Sequence, residues 1–259
     1  MEIPESDFGI FLVILSSHLL HYFTLAGLAF WLGYVLLKNR ISSRKIQRKF
    51  PENKDYQRDV LFSVVTYLIS ALVGVLLYSH AIRPHTLIYY AISEYGWAYY
   101  VLSFFLALFI HDTYFYWLHR LIHRPRYFKL FHKIHHISTN PSPWSAFSHH
   151  PLETVLQSGI FVLFAFLLPL HPSMMLIFFF FMTLHSVYAH LGWELLPKGA
   201  NRHWLLRWFN SSVMHNVHHQ KFNSNFGLYF TFWDRLGGTF DKNNDIEFDK
   251  IHPSLPQQA

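Results

Sequence analysis

Four apolar stretches constrain this chain most. Residues Phe8 to Leu37, Val60 to Tyr78 and Trp97 to Leu118 are each long enough, at about 20 apolar residues, to cross a bilayer as a helix. A fourth run, Val155 to His190, is interrupted by Pro169-Leu170-His171-Pro172. Each of its halves is about 15–18 residues, short for an independent span, so it reads as a helical hairpin that crosses, or dips in and returns. The expected fold is all-α and integral to the membrane, with about four transmembrane helices: three spans plus the hairpin.

Composition and charge agree. Hydrophobic residues make up 52% of the 259 and charged residues only 14%, against about 25% charged in soluble domains. The formal charge of +6 comes largely from connecting segments. One runs from Lys38 to Arg58; another carries Arg120, Arg124, Arg126, Lys129 and Lys133. The positive-inside rule puts both in the cytoplasm, two crossings apart. This pattern points to a membrane surface and disfavours nucleic acid. No basic segment precedes the first apolar stretch, so no cleaved signal peptide is expected. Absence of cysteine removes disulfides and thiolate metal sites, leaving histidine and carboxylate as ligands. The polar tail from Asp241, with Pro253 and Pro256, is expected to be loosely ordered. A single domain over 1–259 with a cytoplasmic histidine-rich cap is the economical organisation.

The 20 histidines are unevenly spread, with eight between 111 and 150 and six between 185 and 219. Eight of these fall in three boxes: His119-x3-His123, His132-x2-His135-His136 and His215-x2-His218-His219. Residues at i, i+3 and i+4 share a helix face, so each box can present its imidazoles to one point. The first box closes the third span, and Pro125 is expected to end that helix just after it. Lys129 to Ile137 and Val213 to His219 can form the helices of the other two. Together the boxes exceed the four ligands of a structural zinc site, which points to two metals. Imidazole suits iron, and breaking an unactivated C–H bond needs a redox metal with open positions.

From Asp112-Thr-Tyr-Phe-Tyr-Trp-Leu-His119 to Trp233-Asp234-Arg235-Leu-Gly-Gly-Thr-Phe240, the sequence resembles the fatty acid hydroxylase/sterol desaturase superfamily of membrane di-iron oxygenases. The similarity runs through His150-Pro-Leu-Glu153 and Asn223-x-Asn225-Phe-Gly227. It covers about residues 112–241, and its closing stretch looks most like sterol C5-desaturases. The resemblance implies two iron ions per molecule, O2 as oxidant and a lipid substrate, sterol-like or fatty acyl, that is hydroxylated or desaturated. It also implies further histidine ligands just before the third box, where His185 and His190 stand. The family's His-Pro-x-Glu element makes His150 a residue supporting the ligands or facing substrate.

Carboxylates near the boxes are candidates to orient the ligand imidazoles, which usually donate their second N–H to such a group. Asp112 lies seven and eleven residues before His119 and His123 and so shares their helix face. Glu153 and Asp234 are candidates for the same role, and Glu194 is read as a solvated charge. Arg120 is expected to pair with lipid phosphate or a carboxylate, and His18 and His21 to pair with each other or with a neighbouring serine. There is no dinucleotide fingerprint, so electrons are expected from a separate cytochrome b5 or ferredoxin-type carrier. Two other readings are a metal transporter and a zinc-dependent lipid hydrolase. Transporters place ligands near the bilayer midplane, whereas these boxes follow the spans. A hydrolytic zinc site needs only three protein ligands.

Overall fold

The structure is a computed structural model, and it describes residues 6–251. Among these, nine α-helices are joined by short 3-10 turns, with two isolated β-bridges and no sheet. In order they are α1 (Asp7–Phe30, continued by a π-helix over Trp31–Leu36), α2 (Asn53–Tyr78), α3 (Gly96–Ile122), α4 (Pro125–Phe131) and α5 (Pro151–Leu167). They continue with α6 (Pro172–Ala189), α7 (Ser212–Lys221), α8 (Phe232–Leu236) and α9 (Asn244–Ile251). Helices α1, α2, α3 and α6 are long and apolar enough to cross a membrane, and α5 is a shorter apolar helix that pairs with α6 as the hairpin.

Local chemistry sets the helix starts. Ser6 Oγ accepts the Gly9 amide at 3.1 Å and caps α1. Glu52 and Asp55 form a capping box at the start of α2. Proline occupies the first turn of α4, α5 and α6, where a missing N–H costs nothing. Pro125 therefore opens a new helix, the third span having already ended at Ile122. The spans turn Tyr22, Tyr67, Phe164 and Phe178 inward. They leave Leu61, Leu72, Phe105 and Phe109 more than half exposed on the outside, an apolar band of the kind that faces lipid.

Residues 79–95 join α2 to α3 at the end where α5 also finishes, the Tyr89 amide donating to the Leu170 carbonyl at 3.3 Å, and most of the other connecting residues gather at the opposite end, where α3 and α6 finish and α2 and α5 begin. The basic 38–52 loop lies there, bridging Lys45 to Trp193 and Gln47 to Asn216. Segment 132–150 is a succession of tight turns. The expected helix over Lys129 to Ile137 stops at Phe131, and His135–Ile137 forms a separate 3-10 turn. A further 3-10 turn, Pro143–Phe147, buries its apolar side chains against the spans, and its Trp144 carbonyl accepts the Tyr22 hydroxyl at 2.8 Å and Ser63 Oγ at 3.2 Å. The tail departs from expectation as well: α9 is a formed helix whose Phe248 and Ile251 pack on Val213 and Val217 of α7. His252, Pro253 and Pro256 lie outside the described residues.

Asp59, buried near the start of α2, fastens this cap to the bundle. Its carboxylate accepts Ser138 Oγ at 2.8 Å, Ser148 Oγ at 3.2 Å and the Arg58 guanidinium at 3.1 Å. These serines flank the 3-10 turn on both sides, one beside His136 and the other beside His149. Asp59→Ala removes the carboxylate that accepts both buried hydroxyls and is expected to destabilise the protein by about 2 kcal/mol. Thermal unfolding of the detergent-solubilised variant checks this; an unchanged midpoint would contradict it.

Candidate metal centre

Nine histidine side chains converge in two adjoining groups. His119, His123, His132, His136 and His218 form one, and His135, His190, His215 and His219 form the other. Within each group the ligand nitrogens all lie within 4.8 Å of one another. Consecutive Nε2 atoms are 3.0 Å apart for His119–His132, 3.2 Å for His123–His119 and 3.1 Å for both His136–His123 and His218–His136. In the second group they are 3.3 Å for His190–His135, 3.0 Å for His215–His190 and 3.1 Å for His219–His215.

Helix geometry explains how three boxes make two groups. His119 and His123 sit one turn apart at the end of α3. On α7, His215 and His219 are one turn apart and enter the second group, while His218, displaced around the axis, enters the first. In the second box, neighbours His135 and His136 diverge into different groups. The expectation that each box serves one point thus holds for the first box alone. His190, at the C-terminus of α6, completes the second group. His185 joins neither group: it lies at a different angle on α6, with Nε2 on the Leu228 carbonyl at 2.7 Å.

The tautomers show that the donor set suits metal ions. His119 Nδ1–H donates to the Phe226 carbonyl at 2.9 Å, His218 to the Ser224 carbonyl at 2.7 Å and His190 to the Ser186 carbonyl at 2.8 Å. His132 donates to Glu153 Oε1 at 2.7 Å. In neutral imidazole the other nitrogen is then an acceptor only. His119 and His132 consequently face each other across 3.0 Å with two lone pairs and no proton between them, an arrangement that a cation relieves. Burial keeps these rings neutral. It lowers His132, His135, His136, His215 and His219 well below the ordinary imidazole range, with neighbouring imidazoles adding to the effect, and brings His190 and His218 to about 4.

The carboxylates act at different distances. Of the three candidates, only Glu153 touches a histidine of the two groups, His132. Asp112 accepts the Tyr229 and Phe230 amides at 2.8 and 3.2 Å. Asp234 accepts the Phe226 and Gly227 amides, both at 2.8 Å, and Thr239 Oγ1 at 2.7 Å. Both therefore pin the 224–230 loop, whose carbonyls orient His119, His218 and, outside both groups, His185. Asn225, in left-handed conformation at φ 57°, keeps this loop turned and donates to the Met214 carbonyl.

Glu194 departs from the solvated position expected of it. Glu194 is fully buried, where it accepts the Val213 amide at the start of α7, the Leu196 amide and the Tyr188 hydroxyl. His150 caps α5 by accepting the Leu152 amide at 3.2 Å, and His149 packs beside His135 with ring centroids 5.0 Å apart. Arg120 bonds the Tyr116 hydroxyl and the Gly237 carbonyl, with no ion pair among the described residues. His18 stacks on Phe179 at 4.1 Å. A cavity beneath both groups touches His119, His132, His135, His190 and His215 and continues between Phe115, Phe147, Phe161, Phe179 and Met182. His111 also lines it, hydrogen-bonded to Tyr229; a lone histidine within an apolar span gives no box spacing by which to single it out.

Residues 104–239 match the family model described as fatty acid hydroxylase. The protein belongs to the fatty acid hydroxylase family. It is 34% identical over 174 residues to a Delta(7)-sterol 5(6)-desaturase of Gibberella zeae, covering 67% of this chain and 52% of that protein. With the lathosterol oxidase of Homo sapiens it shares 31% identity over 193 residues, 74% of this chain and 63% of the relative. The Saccharomyces cerevisiae Delta(7)-sterol 5(6)-desaturase is 35% identical over 149 residues, 58% of this chain and 39% of the relative. The match thus spans less than two thirds of the length of these relatives. No solved structure matches it.

This geometry sets an expected stoichiometry. Protein with both groups intact should bind two metal ions. His135→Ala, His190→Ala and His218→Ala should each reduce that to about one or fewer, while His185→Ala should leave it unchanged, as read by elemental analysis. Full metal in the His190 variant, or its loss in the His185 variant, would contradict the grouping. Acid stability is a second readout. Because folding lowers these imidazole values, the unfolded state binds more protons below about pH 6.5, and stability falls as pH drops toward about 4. The metal-free protein should unfold at lower temperature at about pH 5 than at about pH 7; a flat profile would contradict neutral buried rings.

Proposed function

We propose that this protein is an O2-dependent membrane oxidoreductase that oxidises a C–H bond of a lipid at a centre of two irons. The observation that carries the reading is one apolar cavity, set among the spans, that touches histidines of both groups. Iron bound there supplies the electrons for cleaving O2 and the oxidising strength to break an unactivated C–H bond. Phe115, Phe147 and Phe179 shield the bound lipid from water. Glu153 holds the proton of His132 Nδ1 and so keeps Nε2 free as a ligand. The relatives' names favour desaturation of a sterol-like lipid. Two hydrogens then leave adjacent carbons, two electrons and two protons are taken up, and O2 becomes two waters.

Those electrons come from an external carrier. Arg124, Arg126, Lys129 and Lys133 are exposed around half-buried His123. The Phe128 and Phe222 rings lie 5.7 and 4.7 Å from His136. This basic rim over the first group suits an acidic cytochrome b5 or ferredoxin-type protein. Its charge also favours a cytoplasmic cap.

The test uses purified, iron-reconstituted protein with a reduced acidic carrier and a membrane lipid extract. Oxygen uptake that rises with the extract, and a product lighter by two hydrogens, are expected. The rate should fall several-fold between about 50 and 500 mM salt as the rim charges are screened. Tightly held zinc with no oxygen uptake after iron reconstitution would overturn the reading and favour the zinc hydrolase instead.

A further inference from the structure

Two segments of the cap that take no part in the histidine groups turn apolar side chains outward beside the third span. One is the link from α6 to α7. There His203 Nδ1 accepts the Leu205 and Leu206 amides, both at 3.3 Å, and the tight turn so formed presents Leu205 and Trp204, the latter 74% exposed. The other is α8, whose Phe232 and Leu236 are exposed. The two segments are tied together. The Trp208 carbonyl accepts the Thr231 amide at 2.8 Å, the Arg207 carbonyl accepts Thr231 Oγ1 at 3.1 Å, and the Phe209 and Phe230 rings pack with centroids 5.4 Å apart.

The place of this surface along the bundle decides what it meets. Residues 105, 109, 113, 117 and 121 follow one another at i+4 and form one stripe along α3. Phe105, Phe109, Trp117 and Leu121 of that stripe are exposed apolar residues. Thr113, in its middle, anchors α8 by accepting Trp233 Nε1–H at 3.1 Å. Trp233 also packs on Tyr116 and Trp117, with centroids 6.0 and 5.9 Å apart. Thr113 stands about 14 Å along the helix from Ile122, the last residue of α3. Helix α8 is therefore held against the outward face of a span, short of that span's end and in line with the apolar band. Elements so placed lie in the membrane interface with their apolar side chains toward the acyl region.

The charges on this surface add an independent requirement. Arg207 and Arg235 both lie over the Trp208 ring, 5.1 and 5.3 Å from its centroid. Arg235 is fixed there, its Nε donating to Thr231 Oγ1 at 3.0 Å and its Nη2 to the Arg207 carbonyl at 3.1 Å. Neither guanidinium forms an ion pair among the described residues. Two like charges against one ring repel each other, and an anion set between them relieves the repulsion. A phosphodiester fits that place, because guanidinium forks bind its oxygens in pairs and tryptophan rings favour the level of the headgroups.

We propose that residues 203–209 and α8 form a platform that dips into the leaflet on the cap side of the membrane and holds the headgroup of an anionic phospholipid between Arg207 and Arg235. None of these residues belongs to the histidine groups or the cavity wall, so the contact stands apart from the reaction proposed above.

The chain has no cysteine, so one introduced at a time carries a nitrobenzoxadiazole fluorophore at a single place. Trp204→Cys and Leu236→Cys are each labelled, and the metal-loaded protein is placed in nanodiscs of phosphatidylcholine and phosphatidylglycerol. Doxyl-labelled phospholipid should quench both labels and aqueous iodide neither, whereas iodide should quench a label at exposed Arg126→Cys. At equal content, doxyl-phosphatidylglycerol should quench at least about twofold more than doxyl-phosphatidylcholine. In Arg207→Gln/Arg235→Gln the two should quench alike. Should the double variant fail to retain metal, Arg207→Gln alone, at an exposed position, should lower the ratio. Iodide quenching at 204 and 236 as strong as at 126 would place the surface in water and overturn the proposal. Labels shielded from both quenchers would do the same, pointing to a second copy of the chain or another protein seated there. A phosphatidylglycerol preference that is absent, or that survives in the arginine variants, would also overturn it.

Discussion

Imidazole nitrogens whose lone pairs face one another away from water repel unless a cation lies among them, and the cap of this protein is organised around nine such rings. Each ring's ligand nitrogen is directed inward. For His119, His132, His190 and His218 the opposite nitrogen is engaged by a carbonyl or by Glu153, which decides the tautomer as well as the angle. Those acceptors need holding in turn. Asp112 and Asp234 grip the amides of the 224–230 loop, Glu194 grips the first turn of α7, and Asp59 grips the segment bearing the second box. Four buried carboxylates thus serve the cluster without being ligands. Such outer contacts ordinarily tune metal affinity nearly as much as the ligands do.

The bundle supplies depth. Apolar spans place the cap at one end, and the α5–α6 hairpin returns to that end, so Glu153 and His190 meet the boxes from opposite ends of the hairpin. Beneath the metal groups the same helices leave a cavity whose wall is mostly aromatic, with its few polar groups concentrated along the α2–α5 seam. On the function proposed above, the lipid would lie in this cavity and the carrier would dock on the basic rim, so substrate selection and electron delivery would use different faces of the same nine histidines.

Much of this is legible in the sequence. Span-length apolar runs mark the helices within a few residues, and the box spacings single out eight of the nine grouped histidines. His190 against His185 is harder to choose, because five residues along a helix turn a side chain to a different face and only the end of α6 shows which face meets α7. The division of the second and third boxes between two groups depends on how a 3-10 turn and a helix approach each other, and no local pattern encodes that. Asp112 and Asp234 are identifiable as residues near the boxes. Their action through backbone amides, of a loop more than a hundred residues from Asp112, is not. The α9 helix escapes a reading of composition because its stability comes from Phe248 and Ile251 packing on α7, a tertiary contact outweighing a polar sequence.

The central claim is that two adjoining histidine groups each hold one iron. Anomalous X-ray diffraction across the iron edge tests it most directly, on crystals of protein reconstituted anaerobically with ferrous iron. Two iron peaks are predicted, one surrounded by His119, His123, His132, His136 and His218 and the other by His135, His190, His215 and His219. A single peak, or iron bound at His185 with the second group empty, would contradict the account.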